Sequence, residues 1–271
     1  MLKLGVMASL PEGPEAELRK ARELGLPTVQ VVCWKGELFN AEMAARLVAA
    51  SKQYDVAVTT IWTGLPGPAV WNFLEGPKTI GLAPAQYRAE RVAALKQGAE
   101  FAARVGAPSI TTHVGFIPED PNDPQYPGLL DALREVVARC KQLGVAFWFE
   151  TGQETPVTLL RVIEDLGEDN LGINLDPANL LMYGKANPID ALDVFGKYVR
   201  GAHAKDGEYP TNGRFLGEEK PLGEGRVNFP VLVPKLKALG FAGALTIERE
   251  ISGPKQIEDI KRAIELLSKL V

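Results

Sequence analysis

Short apolar runs alternate with longer amphipathic segments along this chain, and this alternation restricts its fold more strongly than any other feature of the sequence. Each of eight apolar runs has the length of a β-strand and is followed by a segment with helical periodicity. The predicted strands are residues 2–8, 28–34, 56–62, 109–113, 146–150, 171–176, 199–205 and 244–248. The predicted helices are residues 14–24, 41–54, 84–105, 128–143, 156–166, 188–195, 229–239 and 254–270.

Eight strand–helix pairs in succession predict an α/β protein, a single (β/α)₈ TIM barrel that occupies residues 1–271 as one domain. No linker, charge run or low-complexity tract divides the chain. An open doubly wound sheet is the alternative. It would need a phosphate-binding turn after an early strand, and the sequence contains neither a G-x-G-x-x-G nor a P-loop pattern.

Four predicted strands in the C-terminal half end at residues that can bind a metal, namely Glu150, Asp176, His203 and Glu248. Side chains alternate between the two faces of a strand, so Asp176 shares its face with the polar Asn174, whereas the intervening apolar residues face the helices. Because barrel enzymes have their active sites at the carboxyl ends of the strands, the four residues are predicted to converge there. The alternative is that each is an ordinary polar residue at a strand end.

Three carboxylates and one imidazole form a ligand set for one divalent metal ion. Such a mixed set suits Mn²⁺, Co²⁺, Mg²⁺ or Zn²⁺, and the sequence does not choose among them. Without a cation, carboxylates this close together would repel one another.

The composition narrows the class of partner. Thirty basic and 34 acidic residues give a net charge of −4, which opposes a nucleic-acid partner. No stretch approaches the length of a membrane span, and the first residues lack the apolar core of a signal peptide, so we expect no membrane partner and a cytoplasmic location. Cys33 and Cys140 lie in apolar runs and are expected to be reduced and buried.

Sequence motifs surround the strand-end residues. They are Phe-Glu-Thr-Gly (149–152), Asn-Leu-Asp-Pro-Ala-Asn (174–179), His-Ala-Lys-Asp (203–206), Ile-Glu (247–248) and Pro-Leu-Gly-Glu-Gly-Arg-Val (221–227). Together they resemble the xylose-isomerase-like TIM-barrel superfamily, and within it the small sugar isomerase/epimerase group that includes the ketose 3-epimerases. The resemblance covers essentially the whole chain and is most specific over residues 145–250.

The resemblance implies that Glu150, Asp176, His203 and Glu248 bind one divalent metal and that the two glutamates also act as acid and base. One glutamate would remove the proton beside the carbonyl of a ketose, and the other would protonate the resulting enediolate from the opposite face. A cation between the carbonyl and hydroxyl oxygens stabilises the developing charge. The outcome is epimerisation, or isomerisation if the proton returns to the neighbouring carbon. Members of this group often form dimers or tetramers, so the resemblance also implies a homodimer or homotetramer.

Three further residues are candidates for substrate binding through the resemblance. Arg226 matches a substrate-contacting arginine of the epimerases, and Glu154 matches a glutamate that holds the terminal hydroxyls of the sugar. The alternative for both is an ordinary charged loop residue. Asn179 stands where the ketose 3-epimerases have a histidine, and this departure weakens the specific prediction of 3-epimerisation.

Three more candidates follow from their positions in the strands. His113 and Trp62 end the fourth and third predicted strands, where they are expected to contact the substrate; the alternatives are a polar strand-end residue and core packing. Lys205 follows His203 by two residues and shares its face, so it is expected to neutralise a carboxylate or bind a substrate oxygen.

Three different functions are also open. The first is a dehydratase or lyase of the same superfamily, which would act on a keto-sugar or keto-inositol by the same proton abstraction followed by loss of a β-hydroxyl. The second is an endonuclease-IV-like DNA repair enzyme, but its three-zinc cluster needs several histidines and this chain has two. The third is a sugar-binding barrel without activity, which the presence of both Glu150 and Glu248 opposes.

Overall fold

Eight parallel strands close into a barrel in the computed structural model, which describes residues 2–271. The barrel strands are β1 (Lys3–Ser9), β2 (Thr28–Cys33), β3 (Ala57–Thr63), β4 (Ser109–Thr112), β5 (Ala146–Glu150), β6 (Leu171–Leu175), β7 (Val199–Ala204) and β10 (Ala244–Ile247). They follow one another in this order around the barrel, and β10 pairs with β1 to close it. The predicted closed barrel is therefore confirmed, and the open sheet is excluded.

The barrel strands are joined by helices. They are α1 (Pro14–Glu23), α2 (Ala41–Tyr54), α3 (Gly76–Thr79), α4 (Arg88–Val105), α5 (Tyr126–Gln142), α6 (Pro156–Leu166), α7 (Pro177–Met182), α8 (Pro188–Phe195), α9 (Phe229–Ala238) and α10 (Pro254–Leu267). The loop between β7 and α9 also contains a short antiparallel pair, β8 (Asp206–Gly207) and β9 (Glu219–Lys220).

The predicted elements differ from these in a few places. The helix predicted from residue 84 begins as a 3₁₀ turn, Ala85–Tyr87, and becomes α-helical only at Arg88. The short elements α3, α7, β8 and β9 were not predicted, because each has fewer than seven residues and too few positions to show a period. Five strands end one residue earlier than predicted, namely those predicted to end at residues 34, 113, 176, 205 and 248.

Local sequence fixes both ends of helix α6, which follows strand β5 and Glu150. Thr155 caps the N-terminus of α6, where its hydroxyl accepts a hydrogen bond from the backbone N–H of Thr158, and Pro156 occupies the first turn. Gly167 ends the helix with φ 65°, a backbone conformation that glycine adopts without strain. The loop from Glu150 to Thr155 is therefore held between two fixed elements.

The two faces of each barrel strand have different surroundings. Leu171, Ile173 and Leu175 on β6 belong to the buried apolar layer between the strands and the helices. The barrel interior is instead largely polar, and Gln30 and Asn174 are at most 1% exposed there. This separation is the one that alternation along the predicted strands indicated.

One large side chain fills the lower part of the barrel interior. A β-carbon added to Gly172 would lie 2.6 Å from Trp148 Cδ1, and one added to Gly201 would lie 2.5 Å from Asn174 Oδ1. Only glycine leaves room at these two positions for Trp148 and for the polar layer above it.

Cys33 and Cys140 are buried and unpaired, as expected. Among residues 2–271, no helix combines the length and apolarity that crossing a bilayer requires.

Candidate metal centre and active-site cavity

Four side chains from consecutive barrel strands meet at the carboxyl end of the barrel. Glu150 ends β5, Asp176 follows β6, His203 lies in β7 and Glu248 follows β10. Each offers one donor atom, and the four atoms all lie within 4.8 Å of one another. His203 Nδ1 lies 2.9 Å from a Glu248 oxygen, 3.4 Å from a Glu150 oxygen and 3.5 Å from an Asp176 oxygen. The structure thus brings together all four residues of the predicted ligand set.

The donor atoms fit a divalent cation. Asp176 Oδ2, His203 Nδ1 and Glu248 Oε2 are buried, and none makes a well-formed hydrogen bond within the described residues. Asp176 divides its two oxygens, because Oδ1 accepts the backbone N–H of Asn179 at 2.8 Å as the N-cap of α7, which leaves Oδ2 for the centre. These two carboxylate oxygens and the imidazole nitrogen lack hydrogen-bond partners and face one another together with Glu150 Oε1, and divalent cations complete such a set.

Buried positive groups balance part of the negative charge of the three carboxylates. Burial alone would lower the pKa of His203, but the negative charges of Glu150 and Glu248 outweigh it and raise this pKa well above its ordinary value. Lys205 behaves in the same way, since Glu248 and Asp176 overcome its burial and raise its pKa. Burial would raise the pKa of Glu248, yet Lys205 and His203 lower it. The pKa shifts of His203, Lys205 and Glu248 therefore all favour the charged form of each side chain.

Glu150 is held in one orientation by two hydrogen-bond donors. The indole N–H of Trp62 and the amide of Asn174 (3.3 Å) both donate to Oε2. Oε1 is left to face the centre, 3.4 Å from His203 Nδ1 and 3.4 Å from His113 Nε2. The structure therefore gives Trp62 a contact with Glu150 that the sequence did not suggest, in addition to a place in the wall of the adjoining cavity.

A cavity of about 890 Å³ opens above the four residues. Its lining includes Glu150, Glu248, His113, Trp62 and Asn179, so three of the predicted substrate-binding residues lie in it. The volume is within the range of small-molecule sites.

Aromatic side chains form one wall of this cavity. The ring of Trp34 lies 5.0 Å from that of Trp62 and 6.2 Å from that of Trp71, and Trp71 in turn lies 5.1 Å from the ring of His113. Trp71 comes from a loop, where periodicity gives no signal of a site. Trp34 was predicted as the last residue of the second strand but lies just after β2, and the sequence singled out neither residue for the site.

Lys205 lies beside the carboxylates, where the shared face with His203 placed it. Its ammonium group is 3.4 Å from Glu248 Oε2, 3.6 Å from Asp176 Oδ2 and 2.8 Å from Glu250 Oε1. Its side chain is 2% exposed. It also approaches Asn179 Oδ1 at 3.4 Å, so Asn179 is oriented by the same group that neutralises the carboxylates.

Arg226 lies away from the cavity. Its side chain is 66% exposed and pairs with Glu208, and it is absent from the cavity lining among residues 2–271. The motif that contains it is organised by Asp206, whose oxygens accept the backbone N–H groups of Gly223, Gly225 and Val227. Residues 221–227 therefore have a structural role in this loop.

Glu154 is buried near the centre without a well-formed hydrogen bond to either carboxylate oxygen. It is 2% exposed and does not line the cavity among the described residues. Burial disfavours the charged form and raises the pKa of Glu154 from 4.5 to about 7.

The stability of the protein should depend on pH through Glu154. The folded protein holds this proton up to about pH 7, whereas the unfolded chain loses it near pH 4.5, so the stability falls as pH rises between these values. Glu154→Gln removes this loss. The difference in the free energy of unfolding, variant minus wild type, should grow by about 2–3 kcal/mol from pH 5 to pH 8.5, measured by urea denaturation. Glu164→Gln, an exposed change on α6, is the control. A difference that does not change with pH would contradict the assignment.

The fold and the site define the class of protein. It is an α/β barrel with a candidate divalent-metal site, formed by three carboxylates and an imidazole at the strand ends. Residues 18–270 match the family model of the xylose isomerase-like TIM barrel, and the chain belongs to this family. The membership predicted from the motifs is confirmed.

Solved structures with this fold include sugar epimerases and a dehydratase. A xylose isomerase domain protein from Planctomyces limnophilus is 36% identical with a TM-score of 0.92, and the match covers 99% of this chain and 96% of that one. A D-tagatose 3-epimerase-like protein is 22% identical with a TM-score of 0.74 over 99% of both chains. A structure described as a probable 3-DHS dehydratase, from Bacillus anthracis, is 16% identical with a TM-score of 0.73, over 98% of this chain and 99% of that one. The last two similarities concern the fold alone.

Proposed function

We propose that this protein is a divalent-metal-dependent isomerase or epimerase of a ketose or keto-sugar. The observation that carries the proposal is the placement of Glu150 and Glu248 in the wall of one cavity, each with a carboxylate oxygen close to His203 Nδ1. The two glutamates lie on the first and last of four consecutive strands, β5, β6, β7 and β10, so they reach the centre from opposite ends of an arc. Two carboxylates so arranged suit proton removal and proton return on opposite faces of a substrate.

The chain supplies the proton transfers. One glutamate, as the carboxylate, takes the proton from the carbon beside the carbonyl, and the other, which enters the reaction as the carboxylic acid, gives its proton to the enediolate from the other face, which inverts that carbon. The two glutamates end with exchanged protonation states, and proton exchange with solvent restores them. A divalent cation held by Glu150, Asp176, His203 and Glu248 supplies positive charge near the substrate oxygens, where negative charge develops. The hydrogen bonds to Glu150 Oε2 keep its other oxygen aimed at the centre, and Lys205 supplies a second buried positive charge.

A lyase that expels a β-hydroxyl is the second candidate, and the similarity to the fold of a dehydratase favours it over a DNA repair enzyme or an inactive sugar-binding barrel. It uses the same proton abstraction, so the product distinguishes it: dehydration lowers the mass by one water, whereas epimerisation conserves it. Other expectations from the sequence stay predictions. They are a single domain over residues 1–271, a homodimer or homotetramer, a cytoplasmic location, no nucleic-acid or membrane partner, and one divalent metal ion among Mn²⁺, Co²⁺, Mg²⁺ and Zn²⁺.

The test is a screen of free ketoses and keto-sugars with the Mn²⁺- or Co²⁺-loaded protein in D₂O. We expect a product of the same carbon skeleton with one deuterium on the carbon that has received a proton, because an acid–base carboxylate exchanges with solvent. Chromatography and mass spectrometry identify the product. Glu164→Gln, an exposed change at a residue that does not line the cavity, should behave as wild type. If no sugar is converted and no proton beside a carbonyl exchanges, the proposed function is wrong.

A further inference from the structure

Two buried amide side chains lie inside the barrel, one layer below the candidate metal centre. Gln30 extends from β2 and Asn174 from β6, and both are at most 1% exposed. Gln30 Nε2 donates to Asn174 Oδ1 at 2.9 Å. Asn174 Nδ2 in turn donates to Glu150 Oε2 at 3.3 Å. The amide pair therefore links opposite sides of the barrel to a residue of the ligand set.

The same pair reaches His203 from below. The Nε2 atom of His203 lies 2.8 Å from Gln30 Oε1, and its Nδ1 atom faces the three carboxylates. Among residues 2–271, Gln30 Oε1 is the oxygen within hydrogen-bond distance of Nε2. The amide nitrogen of Asn174 also lies 3.0 Å from Nε2, but its two N–H groups have acceptors in Glu150 Oε2 and Gln30 Oε1, each at 3.3 Å. Because a neutral imidazole has one N–H and one lone pair, a proton on Nε2 leaves the lone pair of Nδ1 directed at the centre.

The direction of each hydrogen bond in this network follows from the ionised carboxylate of Glu150. An ionised carboxylate only accepts, so Glu150 Oε2 requires the NH₂ group of Asn174 next to it. Asn174 Oδ1 must then accept from the NH₂ group of Gln30. This leaves Gln30 Oε1 facing His203 Nε2 as an acceptor. The amide orientations are thus set by the network itself.

We propose that Gln30 is a positioning residue that commits His203 to bind the cation through Nδ1 and couples the orientation of His203 to that of Glu150. The inference rests on the metal centre of the proposed function, but it is independent of which sugar is the substrate. Without the Gln30 oxygen, the buried Nε2–H has no acceptor, and the ring is free to turn or to change tautomer. Losing such a partner of a metal-binding histidine typically lowers metal affinity by about 10–100-fold.

The experiment uses the Zn²⁺-loaded full chain, because Zn²⁺ is diamagnetic and suits NMR. Long-range ¹H–¹⁵N spectra report which imidazole nitrogen is protonated, and the chain contains two histidines, so His113→Gln assigns the signals of His203. We expect His203 in the wild-type protein to bind Zn²⁺ through Nδ1 and to carry its proton on Nε2. We expect Gln30→Met, which keeps the length but removes the acceptor, to lose this pattern and to raise the Kd for Zn²⁺ by about 10–100-fold.

Two further variants separate positioning from general disturbance of the barrel interior. Gln30→Glu restores an acceptor oxygen and should recover the Nε2–H pattern. Thr246→Val is the matched control, since Thr246 is also buried and pairs in register with His203, yet its hydroxyl makes no hydrogen bond in the described residues. Its Kd for Zn²⁺ should stay within about twofold of wild type.

The outcomes distinguish this proposal from the proposed function. Binding through Nε2 in the wild-type protein, or no binding of Zn²⁺ at His203, overturns the role of Gln30 without any variant. An unchanged Kd and tautomer in Gln30→Met also overturns it. Normal Nδ1 binding together with no conversion of any sugar leaves the role of Gln30 intact and removes the proposed function instead.

Discussion

Replacing Glu248 with glutamine is expected to lower kcat by about 10²–10⁴-fold, the usual contribution of a positioned acid or base. The amide has nearly the shape of the carboxylate but neither takes nor returns a proton at the reacting carbon. Its oxygen still points at the centre, so cation binding should weaken but persist. The side chain of Glu248 is 16% exposed and lines the cavity, so a substrate can reach it. The measurements are kcat and KM for the substrate found in the D₂O screen, and cation affinity by calorimetry.

Glu258→Gln is the control for this variant. Glu258 lies on α10 with a side chain that is 63% exposed, and it is not part of the cavity lining among the described residues. The same loss of one negative charge should there leave kcat unchanged. A Glu248→Gln protein that binds the cation and turns over within about tenfold of wild type would contradict the acid–base role.

The fold and the ligand set were predictable because their signals are local. The end of an apolar run and the residue type at that end are visible in five to seven consecutive residues, as at Glu150 and Asp176. The closure of the barrel puts such ends side by side without further information. The convergence of Glu150, Asp176, His203 and Glu248 therefore needed only the strand assignments.

The amide network could not be predicted for the opposite reason. Gln30 lies in the middle of β2, where a polar residue on the inner face has no local signature of function. Its partners Asn174 and His203 are 144 and 173 residues away in sequence. Only the closed barrel brings these three side chains together, so a single sequence contains no sign of the contact.

For two other candidate site residues, the sequence did not reveal the contacts that their side chains make in the structure. Arg226 belongs to a motif that resembles one of the sugar epimerases, yet in the structure this motif wraps a loop around Asp206 and leaves the Arg226 side chain mostly exposed. Trp62 occupies the predicted strand end, but its hydrogen bond to Glu150 depends on strand β5, which is 88 residues further along the chain. Strand position thus placed Trp62 at the cavity without revealing its contact with Glu150, and the motif did not place the Arg226 side chain at the cavity.

Removal of the divalent cation is expected to destabilise the protein substantially. A cation that binds only the folded protein adds about 4 kcal/mol to the free energy of unfolding at a concentration 1,000 times its Kd. The physical reason is the arrangement of three carboxylates with donor atoms within 4.8 Å, for which Lys205 and His203 provide only two positive charges. Thermal denaturation should show a melting temperature that rises with Mn²⁺, Co²⁺ or Zn²⁺ concentration and falls in EDTA.

Asp176→Asn separates this effect from unspecific stabilisation by ions. Asparagine keeps the cap of α7, because its side-chain oxygen still accepts the N–H of Asn179, so the fold should be preserved. It removes the charge of Asp176 Oδ2, a buried atom that has no well-formed hydrogen bond. The stabilisation by cation should therefore shrink in this variant while Glu258→Gln retains it in full. Identical melting temperatures of the wild-type protein with cation and with EDTA would show that the four side chains converge for a reason other than metal binding, since a bound cation must stabilise the state that binds it.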